Sequence, residues 1–164
     1  MYKFFIFTFL FLLFTSCKVY TFKDVSIPPE IKTVKLILIE NRATYINTQL
    51  ASKLNDRLQQ KIVNQTRLTR TNSDEADYVI SGYISDYSVS TSGISGQQAS
   101  INRLNVGVHI TLKNNKEQKT SDYDVNKSFE FPATLTINQV ENSLTDDIVR
   151  GMSDEIFNRL FSNW

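Results

Sequence analysis

The first seventeen residues limit what this chain can fold into, because they have the pattern of an export signal that ends in the only cysteine. Lys3 gives the segment a positive start, and residues 4–14 form an apolar run broken by a single threonine. Such a run is too short for the ~30 Å hydrocarbon core of a bilayer, and small residues follow it as at a signal-peptide cleavage site. We therefore expect residues 1–16 to be a signal peptide and the remainder to fold after export.

Cleavage directly before Cys17 would make this cysteine the mature N-terminus, and in this feature the leader resembles those of bacterial lipoproteins. The resemblance implies a diacylglyceryl group on the thiol and a third acyl chain, such as palmitate, on the new amine. A lone cysteine can also be an inert buried side chain, but its position at the cleavage site favours lipidation. Two or three acyl chains anchor a protein stably, so we expect a folded domain tied to a membrane surface.

Length and composition argue against several kinds of site. Residues 17–164 have the usual size of one domain and can bury a core without disulfides. One cysteine and one histidine, His109, are too few ligands for a zinc or iron–sulfur site, so we expect no metal and no cofactor beyond the covalent lipid. Without Lys3 the chain carries 17 basic residues (18 − 1) against 17 acidic ones, and this balance argues against nucleic-acid binding.

Apolar periodicity predicts an α+β fold with the element order β-α-β-β-β-α. Residues 33–40 favour a central strand, because apolar side chains occupy both of its faces. Apolar residues at every fourth position predict a helix from near residue 47 to residue 64. Strict alternation over residues 104–112, a turn at residues 114–117 and a return strand over residues 120–131 predict a hairpin.

Two predicted strands and a connection lie between the first helix and this hairpin. Residues 67–71 favour a short strand. Residues 77–90 alternate as a strand, with Tyr83 and Tyr87 on the same face. Residues 91–100 are small and polar with two glycines, so they predict a flexible connection.

A second amphipathic helix closes the predicted fold. Asn138 and Glu141 have the spacing of a capping box, which predicts the helix start. Gly151 lies on the apolar stripe, where a close approach to the sheet would explain it. We expect a mostly antiparallel sheet of four to five strands with both helices packed on one face, in a single domain over residues 33–164 that follows a lipidated tether over residues 17–32.

No pattern in the chain points to catalysis. Residues 93–97 lack the last glycine of a G-x-S-x-G elbow. His109 lies mid-strand among polar alternates, so a partly exposed strand histidine is a simpler interpretation than a general base. Asp146 and Asp147 are adjacent on a helix and point in different directions. We expect no catalytic residue and no enzymatic activity.

Four basic residues are candidates for contact with an anionic amphiphile. Lys113, Lys116 and Lys119 cluster around the predicted hairpin turn, and Arg103 lies further along the same strand. Such charges bind phosphate groups readily. Lysines near a hairpin also commonly protect a sheet edge, and this alternative is the one we favour on sequence grounds.

Several short segments, in their order along the chain, carry a family resemblance. They are Cys17-Lys18-Val19-Tyr20-Thr21-Phe22, Ser26-Ile27-Pro28-Pro29, Ile31-Lys32-Thr33, Asn41-Arg42-Ala43, Asn102-Arg103-Leu104 and the C-terminal residues 156–164. Together they resemble the LptE family of lipopolysaccharide-assembly lipoproteins in its Bacteroidetes-type form. Residues 114–128 match the family pattern poorly, so the hairpin is the least transferable part.

The resemblance implies an outer-membrane lipoprotein on the periplasmic side that helps assemble and plugs the LptD β-barrel, through which lipopolysaccharide reaches the cell surface. The resemblance also implies that Cys17 is the lipid attachment site. Lipopolysaccharide contacts at the four basic residues are a hypothesis from charge alone. The alternatives are a scaffold or accessory lipoprotein of the envelope without a barrel partner, and a soluble lipid carrier.

Overall fold

Eight elements make up the part of the chain that the structure, a computed structural model, describes: residues 26–95 and 98–162. In chain order they are β1 (Thr33–Leu36), β2 (Glu40–Asn41), α1 (Leu50–Gln65), β3 (Thr69–Arg70), β4 (Tyr78–Ser95), β5 (Gln98–Asn114), β6 (Lys119–Pro132) and α2 (Ile137–Phe161). The predicted signal peptide and Cys17 lie outside the described residues. The last part of the predicted tether, residues 26–32, belongs to the folded domain, because Ile27 and Ile31 are buried in its core.

The sheet has the strand order β3-β1-β4-β5-β6, with β2 also paired to β4. The long strands β4, β5 and β6 are antiparallel, whereas the short strands β1, β2 and β3 make parallel pairs. The chain passes from β1 to β3 and β4 through α1, and strands joined by such a crossover run in the same direction. The predicted α+β fold is confirmed, while the sheet is mixed and has six strands.

The first predicted strand is interrupted. β1 ends at Leu36, and the exposed fractions of Ile37 and Leu38 are 41% and 67%, so the second apolar face is not covered as a central strand would require. Ile39 is fully buried. The side chain of Asn55 replaces a neighbouring strand here, because it accepts a hydrogen bond from the Ile39 N–H (2.9 Å) and donates one to the Ile39 carbonyl (3.1 Å).

A bulge in β4 changes which face its later residues occupy. The pairing with β5 shifts between Ile84 and Asp86, so that one extra residue stands on β4. Tyr83 remains opposite His109 on the sheet face that points away from the helices, which we call the open face. Tyr87 is 3% exposed among the core residues on the helix side. The prediction that Tyr83 and Tyr87 share a face is therefore wrong, because the extra residue inverts the alternation.

The segment predicted as a flexible connection instead extends the two central strands. β4 continues to Ser95 and β5 begins at Gln98, and these two residues pair with each other. Register shifts at Thr91 and Gly93 accommodate the small residues within the ladder. A segment of small polar residues can form a twisted strand end when a neighbouring strand supplies the backbone hydrogen bonds.

Both helices pack on one face of the sheet and run parallel to each other. Lys53 lies 3.3 Å from Asp146 and Lys61 lies 2.5 Å from Asp154, so equal steps along α1 and α2 stay in contact. The predicted apolar stripes form the core with the inward side chains of β4 and β5. The most deeply buried of these residues include Leu54, Leu58, Ile80, Ile84, Leu104, Ile110, Val140, Met152 and Ile156.

α2 begins two residues earlier than the capping pattern predicted. The N-cap is Thr136, and Gln139 accepts a hydrogen bond from the Thr136 backbone N–H (2.9 Å). The same spacing occurs at Asn138 and Glu141, which lie inside the helix. Thr136 is a cap because it has extended backbone angles before the first helical turn.

Gly151 marks the predicted close approach of α2 to the sheet. A Cβ atom at this position would lie 3.0 Å from Lys127 Cε and 3.3 Å from Phe129 Cε1, both on β6. The absence of a side chain lets the helix lie against the edge strand at this point. The predicted helix–sheet contact is confirmed.

Candidate functional site

The turn between β5 and β6 brings three of the four predicted basic residues together. Lys113 and Lys119 stand on either side of the turn, and both side chains are exposed. Lys116 lies in the turn, 55% exposed, with its Nζ 3.2 Å from Asp77 Oδ1. We refer to residues 113–119 as the lysine hairpin.

Arg103 lies apart from the lysine hairpin. It occupies the open face of β5 opposite Glu130, and their side chains form an ion pair at 2.9 Å. Ten residues of strand separate Arg103 from Lys113, which is roughly 30 Å at the usual rise of a β-strand. The four predicted residues therefore do not form a single cluster.

Asp77 ties the lysine hairpin to the start of β1, and sequence analysis did not single it out. Its carboxylate accepts hydrogen bonds from the backbone N–H groups of Lys32 (2.8 Å) and Thr33 (3.0 Å). Its own N–H donates to Thr33 Oγ1 (2.9 Å), and its carbonyl accepts from the Asn115 N–H (2.8 Å). The backbone donors, led by Lys32 and helped by Lys116, lower the pKa of Asp77 to about 2 against the opposing effect of burial.

The described chain begins at the same end of the domain. The Ser26 N–H donates to the carbonyl of Phe161 at the C-terminus of α2 (2.8 Å). The guanidinium of Arg67, just beyond α1, donates to the Ile27 carbonyl. The C-terminal ends of both helices, the start of β4 and the lysine hairpin thus surround the point at which the chain enters the domain.

The open face of the sheet carries polar side chains along β4, β5 and β6. At its centre His109 is 26% exposed and lies 2.8 Å from Asp124 and 3.6 Å from Asp122. Its ring lies against Tyr83, with 5.1 Å between ring centroids. The guanidinium of Arg42 also lies over the Tyr83 ring, with its Cζ 4.7 Å from the ring centroid.

These neighbours give His109 a structural role in the open face. Two carboxylates of β6 and the Tyr83 ring of β4 surround the imidazole of β5, and these hydrogen-bond and ring contacts include no serine, cysteine or lysine nucleophile. Within residues 26–95 and 98–162, no group of three or more His, Cys, Asp and Glu side chains is arranged to hold a metal ion.

A second polar cluster lies between β4 and the first turn of α2, and sequence analysis missed it because the bulge determines the position of Tyr87. The rings of Tyr45 and Tyr87 stack at 5.7 Å, and Asn47 donates to the Tyr87 hydroxyl (3.3 Å). Burial, reinforced by the charge of Glu141, raises the pKa of Tyr87 to about 12. The Asn47 side chain also accepts hydrogen bonds from the backbone N–H groups of Gln49 and Leu50 (both 3.0 Å), so the cluster fixes the start of α1.

One pocket lies between α1 and the edge of the sheet. It has about 10 Å³ of free space, and the side chains that line it are Val34, Leu36, Gln59, Ile62, Val63 and Arg70. That volume is about one water-sized probe, whereas a site for a drug-sized ligand needs several hundred Å³. This pocket does not accommodate an acyl chain.

Residues 31–160 match the LptE lipopolysaccharide-assembly family. This chain belongs to the LptE family. The match includes β1 to β6, α1 and almost all of α2, and with them the lysine hairpin and the open face. A comparison with curated protein sequences gives no significant match.

Solved structures confirm the LptE-like fold. Rare lipoprotein B from Shewanella oneidensis is 10% identical with a TM-score of 0.53, over 77% of this chain and 92% of its own. The uncharacterized lipoprotein B from Nitrosomonas europaea is 11% identical with a TM-score of 0.51, over 82% and 85%. Hypothetical protein CT253 from Chlamydia trachomatis is 9% identical with a TM-score of 0.53, over 79% and 95%. At these identities the likeness concerns the fold alone.

The LptE family is a lipopolysaccharide-assembly family without enzymatic activity, which agrees with the interpretation of His109 as a structural residue. Neither helix of the described residues is long and apolar enough to cross a membrane.

Proposed function

We propose that this LptE-family protein is an outer-membrane lipoprotein that assists assembly of an LptD-like β-barrel and plugs it during lipopolysaccharide transport. The observation that carries the proposal is the family match over residues 31–160. The export signal ending in Cys17 adds to it, because acylation of that cysteine would hold the domain on the periplasmic side of the membrane.

The open face suits a position inside a wide barrel. The lumen of such a barrel is polar and wet, so a protein seated in it needs polar side chains that pair with one another or with the wall. Ser128 donates to Asn105 (2.8 Å), Asn105 donates to Ser90 (3.1 Å), and Thr111 donates to Asp122 (2.6 Å). This surface keeps its own hydrogen bonds while it remains compatible with a hydrated wall.

Depletion of the protein tests the proposal in cells. We expect lipopolysaccharide to be made at a normal rate but to fail to reach the outer leaflet, and the folded barrel to decrease. A plasmid copy with Cys17 intact should restore surface lipopolysaccharide, whereas Cys17→Ser should restore much less because the anchor is missing. Normal surface lipopolysaccharide after full depletion would refute the proposal.

The lipid on Cys17 is tested by intact mass. The purified native protein should begin at Cys17 and carry a diacylglyceryl group and an N-acyl chain. An unmodified thiol, or a retained leader, would contradict the anchored position while leaving the family assignment unchanged.

Lipopolysaccharide contact by Arg103, Lys113, Lys116 and Lys119 stays a prediction. Since Arg103 lies roughly 30 Å from the lysines, a single headgroup-sized site does not join all four. The contribution of Arg103 to lipopolysaccharide affinity should therefore be separable from that of the lysine hairpin.

A further inference from the structure

The lysine hairpin lies close to the point at which the chain enters the domain (the chain entry), and this position gives the hairpin a second role. Nine steps of the chain, through residues 18–25, lead from the predicted lipid attachment site at Cys17 to Ser26. Fully extended they reach about 30 Å, and as a flexible coil they span roughly 17 Å on average. Because Ser26 lies at the end of the domain that carries the lysine hairpin, the tether keeps that end close to the membrane plane.

The contacts of Asp77 make this proximity a fixed property of the fold. Asp77 holds the backbone of Lys32 and Thr33, six and seven residues after Ser26, and it also holds Lys116 and the Asn115 backbone in the hairpin. The hairpin therefore cannot turn away from the chain entry without loss of several hydrogen bonds.

The charges at this end favour an anionic surface. The hairpin itself has three lysines and one glutamate, and two aspartates beside it, Asp74 and Asp77, already have partners. Asp74 pairs with Lys35 at 2.5 Å, and the Asp77 carboxylate is occupied by backbone donors and Lys116. The tether sequence adds Lys18 and Lys23 against Asp24, next to the predicted anchor. The charged residues at this end of the described domain are Lys32, Lys35, Arg67, Arg70, Lys113, Lys116 and Lys119 against Glu30, Asp74, Glu75, Asp77 and Glu117.

We propose that the lysine hairpin docks on anionic phospholipid headgroups of the leaflet that holds the lipid anchor. The side chains of Lys113 and Lys119 are exposed on either side of the turn, and each lysine near an anionic surface strengthens binding about fivefold. In the protein that is not yet seated in a barrel, docking orients the domain on its anchor, with the opposite end, where β4 and β5 meet, directed away from the membrane. The proposal rests on the lipidation of Cys17 that the proposed function includes.

Lysine labelling of the lipidated protein in vesicles tests this orientation. The protein is reconstituted into phosphatidylcholine vesicles with or without phosphatidylglycerol. It is then treated with a membrane-impermeant amine-acylating reagent, and mass spectrometry gives the rate at each lysine. We expect phosphatidylglycerol to slow labelling of Lys113 and Lys119 about fivefold and to leave Lys53, on α1, unchanged. Raising the salt to about 1 M should abolish the difference, because the screening length falls to about 3 Å.

Two matched double variants separate charge from folding. In Lys113→Gln/Lys119→Gln, protection of the remaining Lys116 should be lost, while Lys53→Gln/Arg57→Gln on the exposed side of α1 should retain it. Both variants should keep the wild-type melting temperature, since these side chains are exposed. Equal labelling in both kinds of vesicle, or equal protection of Lys53, would overturn the proposal.

A third vesicle distinguishes the anionic lipid. Lipopolysaccharide added at the same surface charge as phosphatidylglycerol should protect the lysines no better than phosphatidylglycerol does. Protection by lipopolysaccharide alone would overturn the assignment to phospholipid. These vesicles contain no β-barrel, so failure of the docking proposal leaves the barrel partnership untouched, and failure of that partnership leaves the docking result unaffected.

Discussion

The carboxylate of Asp77 accepts a hydrogen bond from the backbone N–H of Lys32, 45 residues earlier in the chain, at 2.8 Å. The Thr33 N–H donates to the same oxygen, and Lys116 approaches the other oxygen at 3.2 Å. Only 12% of the Asp77 side chain is exposed. A charged acceptor therefore joins the chain entry, the start of β4 and the lysine hairpin.

Replacement of Asp77 by asparagine should destabilise the domain. The amide oxygen can take the place of Oδ2, but as a neutral acceptor it binds the two backbone N–H groups more weakly, and the amide loses the attraction of Lys116. We therefore expect the free energy of unfolding to fall by about 1–2 kcal/mol at neutral pH. Urea denaturation measures the difference. Asp74→Asn is the matched control, because the Asp74 side chain is 90% exposed, and its effect should stay below about 0.5 kcal/mol.

The pKa of Asp77 also predicts an acid dependence. Because folding lowers this pKa from 3.8 to about 2, the carboxylate contributes stability that is complete above the unfolded pKa and is lost as the pH falls through the folded one. Stability of the wild type should decrease between about pH 5 and pH 2, more steeply than that of Asp77→Asn. Parallel pH profiles for the two proteins would show that Asp77 has no lowered pKa.

Alanine at Gly82 should destabilise the centre of the sheet. A Cβ atom there would overlap the backbone carbonyl of His109 and lie 2.8 Å from Ile110 Cδ1. The strand backbone must move to relieve this overlap, so we expect a loss of about 2–3 kcal/mol. Thermal unfolding of Gly82→Ala compared with the neighbouring Ser81→Ala measures it, and a loss as small as that of the serine variant would contradict the packing described here.

The hydroxyl of Tyr87 should ionise at a higher pH than that of an ordinary tyrosine. Folding raises its pKa from 10.0 to about 12, so its contribution to stability is complete below pH 10 and is lost as the pH rises toward 12. Burial also raises the pKa of Tyr45 and Tyr78, but the shift of Tyr87 is the large one, so ultraviolet titration should end in a last step that belongs to Tyr87. Tyr87→Phe should lack this late step, and an unchanged titration curve would place the late tyrosine elsewhere.

Both helices and the β5–β6 hairpin could be predicted from the sequence because their buried residues recur at regular intervals within one continuous segment. The four-residue spacing of Leu50, Leu54, Leu58 and Ile62 follows from one helix face on the sheet, and these four residues are buried. The alternation of β5 follows from one apolar and one open face. Long, half-buried elements thus carry their pattern in consecutive residues.

The features that could not be predicted from the sequence depend on contacts between residues that are distant in the chain. The bulge at residue 85 adds no unusual residue type, so the sequence shows an unbroken alternation while the structure inverts it before Tyr87. The parallel pairing of β1 depends on where α1 returns the chain. Asp77 looks like an ordinary residue before a strand, because its partners are backbone groups 44 and 45 residues away.

Purification of the protein from detergent-solubilised outer membranes tests the central claim most directly. With the native lipidated chain as bait, we expect a large β-barrel to co-purify in a fixed ratio to the bait. A charge- and size-matched unrelated outer-membrane lipoprotein, purified in the same way, should not retain it. Recovery of the intact lipidated protein without any barrel would contradict the account and would favour an envelope scaffold.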